Sequence, residues 1–204
     1  MAKKRRIESQ GLFQLLRGEL DWIVANRDRF GIRVLNLSFS APVQSHYWQD
    51  PVNQAVMRAW QAGIVVVVSA GNGGPAPMTI GAPGNIPYVI TVGAYNNKRT
   101  PGYWADDVRS DWSAGGPTFD GFAKPDLLAP GKNIVSFMYN DPDDQEHSAR
   151  LALEHPDYSA TKSLFRMNGT SMSTAVTSGV VALMLQANPG LSPDDVKCKL
   201  MAGA

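Results

Sequence analysis

A chain of 204 residues, 44% of them hydrophobic, has the length of one globular domain and too much apolar content for disorder. Its 19 Lys+Arg nearly cancel its 18 Asp+Glu, so no domain-wide basic excess is available to neutralise phosphates, and a nucleic-acid protein is excluded on charge. The single cysteine, Cys198, excludes an internal disulfide framework and a Cys-based zinc site, and no apolar run reaches the roughly 18 residues of a membrane span.

The basic start, Met1-Ala2-Lys3-Lys4-Arg5-Arg6, is followed by Ile7-Glu8-Ser9-Gln10 where a signal peptide needs an apolar core. Residues 1–11 therefore read as a solvated, disordered leader without an export signal. Leu12, Leu16, Leu20 and Ile23 then fall on one helical face up to Val24, and Gly31 breaks the pattern. Ile32 to Phe39 reads as a strand. A second helix carries the stripe Val52, Ala55, Val56, Ala59 and Trp60, and Gly63 ends it. The β-branched run Ile64 to Val68 has the composition of a strand buried on both faces, and Tyr88 to Val92 is another strand after a turn-rich stretch.

Strand–helix–strand with short connections means right-handed crossovers and a parallel sheet, so the fold class is α/β. Asn96 to Gly131 reads as loops with short strands, and the polar stretch 139–168 as a surface insertion in a domain that runs over 12–204. Ser171 to Ala187 is a helix apolar almost all round, the mark of burial in the middle of a domain. Ser192-Pro193-Asp194-Asp195 opens the last helix with an N-cap, a first-turn proline and acids at the positive dipole end. Cys198 on that helix reads as a small buried apolar residue.

The chemistry concentrates in Asn168-Gly169-Thr170-Ser171-Met172-Ser173-Thr174-Ala175. There a hydroxyl sits where a glycine turn enters the long helix, beside free backbone N–H groups that favour an oxyanion. The plain alternative is a serine capping a core helix. Ser69-Ala70-Gly71-Asn72 follows the buried strand, so Asn72 projects from its C-terminal end, where open α/β sheets place their ligands. Lys124-Pro125-Asp126-Leu127-Leu128-Ala129-Pro130-Gly131 lies between the two.

In this order and spacing the three segments closely resemble the subtilisin-like serine proteases (subtilases, peptidase S8), from about Leu12 to the end. The resemblance implies a three-layer, parallel-sheet subtilisin-like fold with the N-terminal part of the domain missing. It makes Ser171 the nucleophile of an endopeptidase and Asn72, with the Ser171 N–H, the oxyanion site. Asn36-Leu37-Ser38-Phe39 is similar to the strand bordering the substrate cleft, so Ser38, Phe39 and Ser40 would bind peptide backbone as an added strand, with Ser69, Ala70 and Gly71 opposite. It requires no cofactor, but allows a structural calcium on Asp126 with the carbonyls of Gly84, Ile86 and Val89; a turn-capping aspartate is the plain alternative. The implied partner is a peptide or protein substrate, without nucleic acid or membrane, and the implied parent is a secreted enzyme.

Three departures stand out. Ala175 occupies a position where the family usually has proline, and alanine suits the helix better. Ser40 and Ala41 replace frequent glycines and would narrow the pocket floor. Most important, the family's Asp and His motifs have no counterpart: His46 precedes Tyr47, His147 precedes Ser148, His155 precedes Pro156, and no Asp-Thr-Gly or Asp-Ser-Gly occurs. All three histidines read as surface residues, and the Asp141–Glu146 cluster lacks the rhythm of a calcium loop. The chain alone is thus expected to be inactive, with the missing N-terminal part as a partner supplying Asp and His. The rival expectation is a non-catalytic module that binds peptides or pairs with a partner while keeping the fold.

Overall fold

The computed structural model describes residues 9–100, 102–137, 155–159 and 164–204. Helix α1 runs over Ser9–Phe30, so the end of the expected leader, Ser9 to Gly11, is helical rather than disordered. It packs on α2, Pro51–Gln61, and Arg58 Nη2 holds Asp21 Oδ1 at 2.7 Å across the pair. Helix α2 begins where the Asp50 carboxylate accepts the Val52 and Asn53 N–H groups, with Pro51 pre-set for the first turn. Its buried stripe, Val52, Ala55, Val56, Ala59 and Trp60, is the one the spacing predicts.

The main sheet joins β1 (Val34–Leu37), β2 (Val65–Ser69), β3 (Ile90–Asn96) and β5 (Leu127–Pro130) in parallel, in the order β1-β2-β3-β5. A two-residue β4, Val108–Arg109, pairs antiparallel with the end of β3. Every residue of β2 is buried, so both faces of the strand are covered, as a parallel interior strand requires. Helix α3, Thr170–Ala187, packs across β1, β2, β3 and β5, and α4, Pro193–Gly203, starts from a Ser192–Asp195 capping box. An antiparallel ribbon of β6 (Ile134–Phe137) and β7 (Leu164–Met167) stands apart from the sheet.

Residues 164–167 of the expected insertion form β7, while Asp141–Glu146 and His147 lie outside the described residues. Two expectations about burial are corrected by the structure. Helix α3 is not covered all round: Ala175, Val176, Gly179, Val180 and Leu183 form an exposed stripe, Leu183 at 65%. Its buried residues, among them Ser173, Thr177 and Val181, face the sheet, and nothing described covers the far side. Cys198 is exposed, because Val196 is the residue of α4 turned into the core. No described helix is long and apolar enough to cross a membrane.

Candidate active site

The C-terminal ends of β1 and β2 and the N-terminal end of α3 meet at one edge of the sheet, around a cleft of about 760 Å³. Ser38, Phe39 and Ser40, just past β1, line one wall, and Ser69, Gly71 and Asn72, just past β2, line the other. Thr170 and Ser171 close the end between them. Ala70 does not line the cleft: it is fully buried in a small cluster with Ile80 and Ala114. Ser69 Oγ donates to the Phe39 carbonyl at 2.8 Å and ties the walls together.

Thr170 organises the site, a role the sequence reading missed beside the more conspicuous Ser171. Its backbone N–H (3.0 Å) and its hydroxyl (2.9 Å) both donate to Asn72 Oδ1. The amide oxygen is thereby occupied, and the amide NH₂ is the end of Asn72 left for the cleft. Thr170 Oγ1 also accepts the Gly71 N–H at 3.3 Å. Gly71 has φ +107°, a conformation for glycine, and a Cβ there would lie 2.9 Å from Ser40 Oγ. The only available signal for Thr170 was its place immediately before the candidate nucleophile.

Ser171 stands in the first turn of α3, where Asn72 Oδ1 takes the Thr170 N–H and the Gly169 carbonyl takes those of Met172 and Ser173, so the Ser171 N–H is the one that remains for an incoming negative charge. Its hydroxyl donates to the Ser38 carbonyl at 2.9 Å, and Ser38 Oγ donates back to the Ser171 carbonyl at 3.0 Å. No imidazole reaches Ser171 Oγ among the described residues. His46 is engaged elsewhere, with Nδ1 2.5 Å from the buried Asp120 carboxylate and its ring stacked on Trp48, and His155 stacks on Tyr158. His46 is thus held in place rather than freely solvated.

The Lys124–Gly131 segment braces the turn that carries Ser171. Gly169 N–H donates to the Gly131 carbonyl at 2.9 Å, and Ser173 Oγ to the Ala129 carbonyl at 3.0 Å. Gly131 must be small, because a Cβ would collide with Ser173 Oγ and lie 2.6 Å from Ala94 Cβ. Ser40 crowds the cleft floor: its hydroxyl reaches Gly71, and a Cβ on Gly81 would collide with it. Ala41 next to it is fixed by paired backbone bonds with Ala82, both 2.9 Å. Asp126 lies outside the cleft, joined to Lys124 and Lys197.

The family model described as the subtilase family, peptidase S8, matches residues 7–204. Serine protease AprX of Bacillus subtilis (strain 168) is 42% identical over 174 residues, covering 84% of this chain and 37% of that protein. Subtilisin DY of Bacillus licheniformis is 29% identical over 196 residues, covering 95% of this chain and 56% of that one. Among solved structures, sphericase superposes with a TM-score of 0.71 at 22% identity, over 93% of this chain and 54% of its own. A cold-adapted subtilisin-like serine proteinase gives 0.64 at 27% identity, over 91% and 52%. The α/β fold is therefore the subtilisin-like one, and the chain spans 37% to 56% of the length of the two curated relatives.

Proposed function

This chain belongs to the subtilase family, a family of serine-type peptidases, and on that premise we propose that it carries the nucleophile and oxyanion site for peptide-bond hydrolysis, completed by an Asp and a His from outside this sequence. The observation that carries the reading is Asn72. Its carbonyl oxygen is held by Thr170 and its NH₂ is left beside the N-terminal turn that bears Ser171. A carbonyl carbon above Ser171 Oγ would place its oxygen between that NH₂ and the Ser171 N–H.

In the step proposed, the external imidazole takes the Ser171 hydroxyl proton as Oγ bonds to the carbonyl carbon. The oxyanion is stabilised by the two donors, collapse expels the amine with the proton returned from the imidazole, and water then hydrolyses the acyl-enzyme. An extended peptide lies along Ser38–Ser40, and the Ser40 hydroxyl favours a small side chain before the cut. The segment bearing Asp and His would cover β1, which among the described residues is an edge strand bonded only to β2, together with the exposed α3 stripe that flanks it.

The test is complementation. The part of a matched relative that precedes its region of similarity, mixed with this chain, should give peptide cleavage that Ser171→Ala abolishes. Cleavage surviving that substitution would overturn the assignment. A non-catalytic, peptide-binding module is the second reading, supported by the bond from Ser171 Oγ to the Ser38 carbonyl. It requires peptide binding that Ser171→Ala leaves unchanged, with no cleavage in any mixture.

A further inference from the structure

The one place where the family resemblance allows a metal is Asp126 with the carbonyls of Gly84, Ile86 and Val89, and the residues present do not fit one. The Asp126 carboxylate, 5% exposed, accepts the Thr91 N–H at 2.7 Å and Lys124 Nζ at 2.6 Å on Oδ2, and Lys197 Nζ at 3.1 Å on Oδ1. The Val89 carbonyl receives Lys124 Nζ at 2.9 Å and Lys197 Nζ at 3.0 Å. Lys197 Nζ also reaches the carbonyls of Pro87 at 2.7 Å and Tyr88 at 3.1 Å, and the Gly84 carbonyl is taken by the Thr91 hydroxyl at 2.8 Å.

The Lys197 ammonium therefore sits among four oxygens, three carbonyls and one carboxylate, at 2.7–3.1 Å. That is the environment of a bound monovalent cation, reached here by a side chain from α4. Calcium takes about 6–8 oxygens at roughly 2.3–2.6 Å. At this site it would meet two ammonium groups and a single carboxylate, so two positive charges would have to leave before a third group entered.

We propose that the Lys197 ammonium is the resident cation of this cradle, closing it to calcium and clamping α4 onto the Pro87–Val89 segment that leads into β3. The clamp ties the C-terminal helix to a central strand of the sheet, so the fold's stability is independent of metal ions at this point.

The experiment uses the full chain, with thermal melting and terbium luminescence as readouts, terbium serving as a calcium stand-in that Tyr88 can sensitise. Melting of the wild type should be unchanged between chelator and millimolar calcium, and no terbium emission should develop. A calcium ion held at about 100 times its Kd would raise Tm on the order of 5 °C. Lys197→Met should lower Tm, and removing Lys124 as well (Lys197→Met with Lys124→Met) should open the carboxylate, so that terbium emission appears and calcium raises Tm. A wild-type chain that gains several degrees with calcium, or that emits with terbium and loses the emission in Asp126→Asn, would overturn the proposal. Should the variants fail to fold, the wild-type comparison still decides between the two.

Discussion

Replacing Thr170 with valine removes the hydroxyl that organises the cleft while keeping the branched shape. Thr170 is 1% exposed, so no water replaces what is lost. Two bonds go: the donation to Asn72 Oδ1 at 2.9 Å and the acceptance of the Gly71 N–H at 3.3 Å. A neutral bond contributes about 1 kcal/mol net and an orphaned buried N–H costs about 1–3 kcal/mol, so Thr170→Val should destabilise by about 2–4 kcal/mol. Thr170→Ser keeps both bonds and loses one methyl, a cost of about 1 kcal/mol.

The functional effect follows from Asn72, which keeps only the Thr170 N–H at 3.0 Å. Complete loss of an oxyanion donor lowers kcat by about 10²–10³, a figure measured on subtilisin's own asparagine rather than obtained from this chain. Loosening one of two anchors should fall short of that, at about 10-fold in kcat with little change in KM. Urea unfolding at constant m-value reads the first effect, and peptide turnover in the complemented enzyme reads the second. Thr170→Val within about 0.5 kcal/mol of wild type would refute the reasoning, as would Thr170→Ser equally damaging as valine.

Asp126→Asn strips the counter-charge from two ammonium groups and should cost about 3–5 kcal/mol by denaturant unfolding, as breaking a buried pair does. Burial pushes the Lys124 ammonium from 10.5 down to about 7, with Asp126 opposing the fall and Lys197 adding to it. The unfolded chain then holds more protons across that window, so this group's contribution to stability should rise with pH from about 7 towards 10.5, and Lys124→Met should flatten the profile. Ser40→Gly should raise kcat/KM for substrates with a bulky residue before the cut relative to alanine, measured on a peptide series in the complemented enzyme. Gly131→Ala forces a methyl into Ser173 and Ala94 and should cost about 1–3 kcal/mol by chemical unfolding, together with a fall in turnover.

The elements were legible where pattern and burial agree. The run predicting a strand at 64–68 is β2 at Val65–Ser69, and the stripe predicting α2 is its buried face. The strand expected at Tyr88 to Val92 is β3 at Ile90–Asn96, because Gly93 and Ala94 break the β-branched run yet remain buried. A Cβ at Gly93 would lie 2.6 Å from Leu128 Cδ2, so the close approach of β5 explains a glycine inside the strand. Apolar content all round α3 does not say which flank this chain itself covers, so Val180 and Leu183 were expected inside. Ser171 and Asn72 were legible as motifs, and the structure brings them to one cleft. Thr170 and Lys197 were not, since a hydroxyl's choice of partner and a lysine's reach from α4 to the segment before β3 depend on tertiary contacts with no local signature.

We propose Ser171 as a nucleophile that a base from a separate segment must activate, and fluorophosphonate labelling followed by mass spectrometry of the labelled peptide is the direct test. The chain alone should remain unlabelled, and addition of a segment bearing the family's Asp and His should place the label on Ser171 and on no other residue. Labelling of the chain alone that Ser171→Ala removes, or a label on another serine in the mixture, would contradict it.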